Sequence, residues 1–157
     1  MPDTSLSDRE LPERVEDLIC FALYSTSHAI SRAYAPLLKP LGLTYPQYIT
    51  LTVLRDEDGQ GVGALSKALR MESSTLTPLI KRLEAQGFVR RNRGEKDERQ
   101  VFVYLTKPGR DVLKAAPNIT KCMIEDTGLD HARLVELVQV LTKLSDNMQG
   151  NRNTGKE

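Results

Sequence analysis

Residues 72–106, ESSTLTPLIKRLEAQGFVRRNRGEKDERQVFVYLT, constrain the fold of this chain more than any other stretch. A helix beginning near Ser73 places Leu76, Leu79, Ile80 and Leu83 at i, i+3, i+4 and i+7, one apolar stripe that must face a core. The opposite face is Ser74, Thr77, Pro78, Lys81 and Arg82. Pro78 removes one backbone hydrogen bond close to the helix start and is expected to bend its first turn. Gly87 ends the helix, and FVRRN, RGEKDER and QVFVYLT then read as strand, charged hairpin tip and strand. The segment before it, ALSKALR, is a short helix, so a helix-turn-helix pair runs directly into a β-hairpin.

That order predicts a winged helix-turn-helix: mainly α, with a small β-wing. A helix face that is hydroxylic at first and basic afterwards suits entry of its amino-terminal turn into a DNA major groove. Ser74, Thr75, Thr77 and Pro78 would then lie at the bases, and Lys81 and Arg82 would reach phosphates. Taken alone the same face is equally that of a solvated helix capped by its own Ser and Thr. The hairpin tip tilts the balance, because Arg93, Lys96 and Arg99 can follow the backbone or enter the adjacent minor groove. Asp97, two residues before Arg99, is expected to orient its guanidinium by a bidentate contact.

Charge supports this placement. The chain carries a net charge of only +1, yet between Lys81 and Arg110 nine Lys or Arg face four Asp or Glu, a local net of +5. Everything else therefore sums to −4, and the positive charge is one block. At 157 residues a single domain is expected. Two Cys 102 positions apart form no disulfide framework and fit reduced thiols in a cytoplasm. No apolar run approaches the roughly 18 to 20 residues that span a bilayer, so no membrane partner is expected. His28 and His131 lack the close spacing of zinc ligands, and no Gly-rich phosphate loop or Ser/His/Asp set is visible. Neither an enzyme nor a bound metal or cofactor is expected.

Outside the winged segment, Val15, Leu18, Ile19, Ala22, Ala29, Ile30, Ala33 and Leu37 space a long first helix from residue 14 to 37. Pro40 and Gly42 break it. Thr44 then caps a second helix reaching about Arg55, with Pro46 at an early, tolerated position. DEDGQGVG reads as a loop with three Gly. A further helix opens at Thr106 and is interrupted at Pro117. The last, from about Asp130 to Met148, carries Leu134, Leu137, Val138, Leu141, Leu144 and Met148 near a heptad seam. Such a stripe needs cover, either by folding back on the first helix or by a second copy, and a module reading two half-sites favours the second. Residues 14–40 and 107–148 are thus dimerisation helices, 44–106 the winged helix-turn-helix, and 1–13 and 149–157 tails, the last expected to be disordered.

The order of helices, SSTLTPLIKRLEAQGFVRR, and the wing DERQVFVYLT resemble the MarR family of winged-helix regulators over roughly residues 14 to 148. Within it, LICFALYS followed by YAPLLKPLGLTYPQY is similar to the organic hydroperoxide resistance regulators. The resemblance implies a homodimeric repressor that holds palindromic operator DNA when reduced and lets go after an organic hydroperoxide oxidises Cys20. It also implies that Tyr34 and Tyr45 hydrogen-bond that thiol, and that Cys122 is a resolving Cys.

Cys20 alone would read as a small packed hydrophobe, and Cys122 as a passive helix residue. Cys20 and Tyr34 are 14 residues apart, about 21 Å along an unbroken helix, so a contact between them needs a second protomer. Tyr24, at i+4, is the rival hydroxyl on the same helix. A thiolate among Ile, Phe and Leu needs donors, and phenols supply them without making the site polar. An apolar pocket would favour alkyl or fatty-acid hydroperoxides over hydrogen peroxide. The sulfenic acid formed can condense with Cys122 of the other chain. Two rivals remain open: a MarR-type repressor released by a small aromatic ligand, with Cys20 as a pocket wall, and a thiol peroxidase, which the basic wing argues against.

Overall fold

The computed structural model describes residues 14–116 and 118–154. After a 3-10 turn at Val15–Asp17 come α1 (Ile19–Leu38) and α2 (Tyr45–Asp56), then β1 (Gln60–Gly61), α3 (Val62–Leu69) and α4 (Ser73–Ala85). The wing follows as β2 (Val89–Arg93) and β3 (Val101–Leu105), then α5 (Lys107–Lys114), α6 (Ile119–Asp126) and α7 (His131–Thr154). The chain divides into two compact units, one ending at Ile119 and one beginning at Thr120.

The first unit is built on one apolar core. Leu38, Leu51, Leu54, Leu65, Leu76, Ile80, Leu83 and Val103 are almost wholly buried, drawn from α1, α2, the helix-turn-helix and the central strand. Each full burial of such a side chain contributes about 1.5–3 kcal/mol. Thr44 caps α2 as expected: its N–H donates to Gln47 Oε1 at 3.0 Å, one half of a capping box, and Pro46 sits in the first turn, where its missing N–H costs nothing. Gly42 (φ 68°) turns the chain between α1 and α2. Thr106 caps α5 by accepting the Gly109 N–H at 3.1 Å.

The sheet has three antiparallel strands in the order β1-β3-β2, where the sequence predicts two. Gln60 faces Val103 and Gly61 faces Phe102, inside the stretch expected to be loop. Two residues are too few to show alternation. Their pairing depends on Asp58, which accepts the Gly59 and Leu105 N–H groups at 3.0 and 2.8 Å and pairs with Arg110 at 2.6 Å.

Gly109 admits no side chain. A Cβ there would overlap the carbonyl oxygen of Phe88, which itself accepts the Thr106 N–H at 3.1 Å. Gly109→Ala must therefore push α5 off the base of the wing. A loss of about 3 kcal/mol is expected, seen as a fall of about 10 °C in Tm by calorimetry.

Two expectations on the bounds of the long helices need revision. α1 proper begins at Ile19, because residues 15–17 form a tighter 3-10 turn. α7 runs to Thr154, six residues past the expected end at Met148, so the segment from 149 to 154 is helical. The amino-terminal tail 1–13, Pro117 and residues 155–157 lie outside the described residues. Of the first stripe, Val15, Leu18, Ile19 and Ile30 are exposed while Leu37 packs against the core, and of the last, Leu137, Val138, Leu141 and Met148 are exposed.

Candidate functional site

α4 divides as its sequence requires. Leu76, Leu79, Ile80 and Leu83 are buried, while Ser74, Thr75, Thr77, Pro78, Lys81 and Arg82 are exposed. Pro78 sits inside the helix. The carbonyl it leaves without an intrahelical partner belongs to exposed Ser74, so water can satisfy it. The turn between α3 and α4 is held by the Met71 N–H on the Ser66 carbonyl at 3.0 Å, the Ser66 hydroxyl on the Met71 carbonyl, and Arg70 in the left-handed region (φ 53°).

At the end of α4, Gly87 (φ 80°) lets the Phe88 N–H reach back to the Leu83 carbonyl at 3.0 Å. β2 and β3 then pair from Val89 opposite Leu105 to Arg93 opposite Val101. The basic block sorts into two groups along this hairpin. Arg91 is spent inside the protein: its Nε donates to Glu84 Oε2 at 2.8 Å and its backbone N–H to Oε1 at 3.1 Å, tying the wing root to α4. These bonds hold the Glu84 carboxyl below its usual range. Arg90 lies over the Tyr104 ring at 4.5 Å. Arg93, Lys96 and Arg99, with Lys81 and Arg82, are exposed and make no ion pair among the described residues.

Asp97 does not bind the Arg99 guanidinium. Its Oδ1 accepts the Arg99 backbone N–H at 3.0 Å, and its carbonyl accepts the Gln100 N–H at 3.0 Å, while the Gly94 N–H meets the Gln100 carbonyl at 2.8 Å. A carboxylate two residues before a free amide closes an Asx turn more easily than it reaches around to the head of a long side chain. Asp97 therefore shapes the tip. A cavity of about 600 Å³ lies between the start of α3, Thr77, Ile80 and the wing residues Arg91, Arg99 and Phe102.

The thiol and the tyrosines sit apart. Cys20 is exposed, one residue into α1. Tyr34, near the far end of the same continuous helix, packs on Tyr45 with ring centroids 4.6 Å apart, and Tyr48 lies 6.4 Å away. Burial pushes the Tyr34 and Tyr45 phenols above their ordinary pKa, and neighbouring phenols add to it. Both keep their protons at neutral pH and remain donors. They line a cavity of about 1000 Å³ with Ser27, Ser31, Leu43 and Ile49, and Cys20 is not among its walls. Tyr24 packs on His28 at 4.3 Å. Cys122, in α6 of the second unit, is partly exposed, and both thiols are free. The roles of Arg90, Arg91, Glu84 and the Asp58–Arg110 pair are not legible in the sequence, because nothing in local spacing shows which charges meet across elements.

A helix-turn-helix followed at once by a wing, both carrying cations that make no ion pair among the described residues, is the architecture of a winged-helix DNA-binding regulator. The model of the family described as Transcriptional regulator SarA/Rot matches residues 32–116. The chain belongs to that family of transcriptional regulators. It is 40% identical over 106 residues to the organic hydroperoxide resistance transcriptional regulator of Bacillus subtilis, covering 68% of this chain and 72% of the relative. It is 49% identical over 106 residues to the HTH-type transcriptional regulator TtmR of Methylorubrum extorquens, 68% of this chain but only 54% of that protein's length. Among solved structures, reduced AbfR bound to DNA matches with a TM-score of 0.71 at 32% identity, covering 82% of this chain and 90% of the other. Overoxidised AbfR bound to DNA matches at 0.66 and 36% identity over 80% and 90%. The resemblance to MarR-type regulators of the hydroperoxide branch is borne out.

Proposed function

We propose that this regulator is a homodimeric repressor that releases its operator when an organic hydroperoxide oxidises Cys20. The observation that carries the reading is the geometry of α1. An exposed thiol stands at one end and a packed, protonated Tyr34–Tyr45 pair at the other, about 21 Å away along a continuous helix. An antiparallel approach of two α1 helices brings Cys20 of one copy to the tyrosines of the other. The exposed apolar residues of α1 and those of α7 supply the surface for that pairing.

In the reduced dimer, Ser74, Thr75, Thr77 and Pro78 face the bases of the major groove, Lys81 and Arg82 its phosphates, and Arg93, Lys96 and Arg99 the flanking backbone and minor groove. Oxidation begins with the Cys20 thiolate attacking the outer peroxide oxygen. The O–O bond breaks as an S–O bond forms, and the alkoxide takes a proton and leaves as the alcohol. Tyr34 and Tyr45 donate to the sulfur beforehand and to the departing oxygen afterwards. The sulfenic acid then condenses with the Cys122 thiol of the other chain, losing water and forming a disulfide.

A non-reducing gel run beside an operator mobility shift tests this, before and after near-stoichiometric cumene hydroperoxide. Wild type is expected to become a covalent dimer and to leave DNA. Cys122→Ser is expected to gain one oxygen at Cys20 by mass spectrometry while forming no covalent dimer. Wild type that stays monomeric on the gel and bound to DNA overturns the reading in favour of release by an aromatic ligand in the tyrosine-lined cavity.

A further inference from the structure

The turn that carries Tyr45 is pinned to the carboxy-terminal end of α4 by two amide side chains. Gln47, buried to 6% exposure, accepts the Thr44 N–H and donates its Nε2 to Gln86 Oε1 at 2.9 Å. Gln86, at the carboxy-terminal cap of α4, donates its own Nε2 to the Gly42 carbonyl at 2.8 Å. Gly42, Leu43, Thr44 and Tyr45 all line the tyrosine cavity. Among the described residues, every hydrogen bond from α4 to the α1–α2 segment runs through Gln86.

We propose that Gln86, backed by Gln47, is the positioning residue through which the state of the tyrosine cavity sets how α4 is presented to DNA. The inference rests on the redox-sensing reading above. Other contacts between α4 and this segment belong to the apolar core of Leu38, Leu43, Leu51, Leu79 and Leu83. Apolar contact is non-directional and lets surfaces slide. Amide hydrogen bonds are directional and weaken within a few tenths of an ångström. A shift of the Gly42–Tyr45 turn must therefore either drag the end of α4 or strand the buried amide of Gln47, an outcome that is costly in itself. The link makes the joint two-state, so a change at the cavity moves α4 rather than dissipating in the core.

The test is Gln86→Ala, with the pair Gln86→Ala/Gln47→Met to remove the stranded amide. Operator affinity is read by anisotropy before and after cumene hydroperoxide, and Cys20 oxidation by mass spectrometry. Both variants are expected to oxidise Cys20 at the wild-type rate and to bind operator, when reduced, within about threefold of wild type. The ratio of reduced to oxidised affinity is expected to shrink at least about tenfold, which is about 1.4 kcal/mol. A merely structural role predicts a lower Tm with that ratio unchanged, and such a result overturns the proposal. Wild type that releases DNA alongside variants that release it equally overturns this inference alone. Wild type that keeps its operator after oxidation overturns both this inference and the redox reading.

Discussion

Cys20→Ser is expected to bind operator as tightly as wild type and to stay bound in hydroperoxide that empties the operator of wild-type protein. Cys20 is exposed on α1 and contributes nothing to the core of the single chain, so replacing sulfur by oxygen leaves the fold and the DNA face within about 0.5 kcal/mol of native. The chemistry disappears altogether. A serine hydroxyl is not ionised near neutral pH and forms no sulfenic acid, so no species condenses with Cys122. Oxidised wild type should lose at least about 100-fold in affinity, about 2.7 kcal/mol, because a smaller bias leaves much of the operator occupied. The variant should change by less than about twofold, within the scatter of such a titration. Fluorescence anisotropy of labelled operator, with and without cumene hydroperoxide, measures both. Release of Cys20→Ser to the wild-type extent would transfer the sensing role from the thiol to the cavity.

Arg99→Ala is expected to weaken operator binding by about 1–3 kcal/mol per site, five- to 150-fold. Arg99 is exposed, makes no ion pair among the described residues and stands on a tip closed by the Asp97 side chain and the Gly94–Gln100 bond. No ion pair among the described residues compensates its charge, so the loss is expected to fall on DNA. The dependence of log affinity on log salt should flatten by about one for each protomer. Asp97→Ala provides the contrast. It releases the Arg99 N–H and loosens the tip but removes no cation, so affinity should fall while the salt slope stays near that of wild type. Identical salt slopes and affinities for wild type and Arg99→Ala would mean that the tip is simply solvated.

Local patterning carried much of the architecture. The spacing of Leu76, Leu79, Ile80 and Leu83 predicts the face that α4 buries, and Thr44, Gly87 and Thr106 mark boundaries the structure keeps. These features are legible because caps and amphipathic periods act over one or two helical turns. FVRRN, RGEKDER and QVFVYLT are legible as strand, charged tip and strand because a hairpin pairs segments that are neighbours along the chain.

Other features belong to the tertiary structure because they depend on contacts between residues distant in sequence. Arg90, Arg91, Arg93 and Arg99 look alike as letters, yet Arg91 is held by Glu84 seven residues earlier and Arg90 rests on Tyr104 across the strands. Only the fold separates them from Arg93 and Arg99, which make no ion pair among the described residues. Asp97 sits where a guanidinium contact is plausible by spacing, and the closed turn claims its carboxylate instead. The strand at Gln60–Gly61 exists because Asp58 is held by Leu105 and Arg110, 47 and 52 positions away. Residue order alone sets the winged helix, the polar face of α4 and the distance that keeps Cys20 from Tyr34 within one chain. Contacts between distant residues settle which charges are paired, and they join the tyrosine cavity to the end of α4 through two glutamines 39 positions apart. The physical reason is range: helix periods and caps act through neighbours along the chain, whereas ion pairs and amide bridges exist only once the core has brought their elements together.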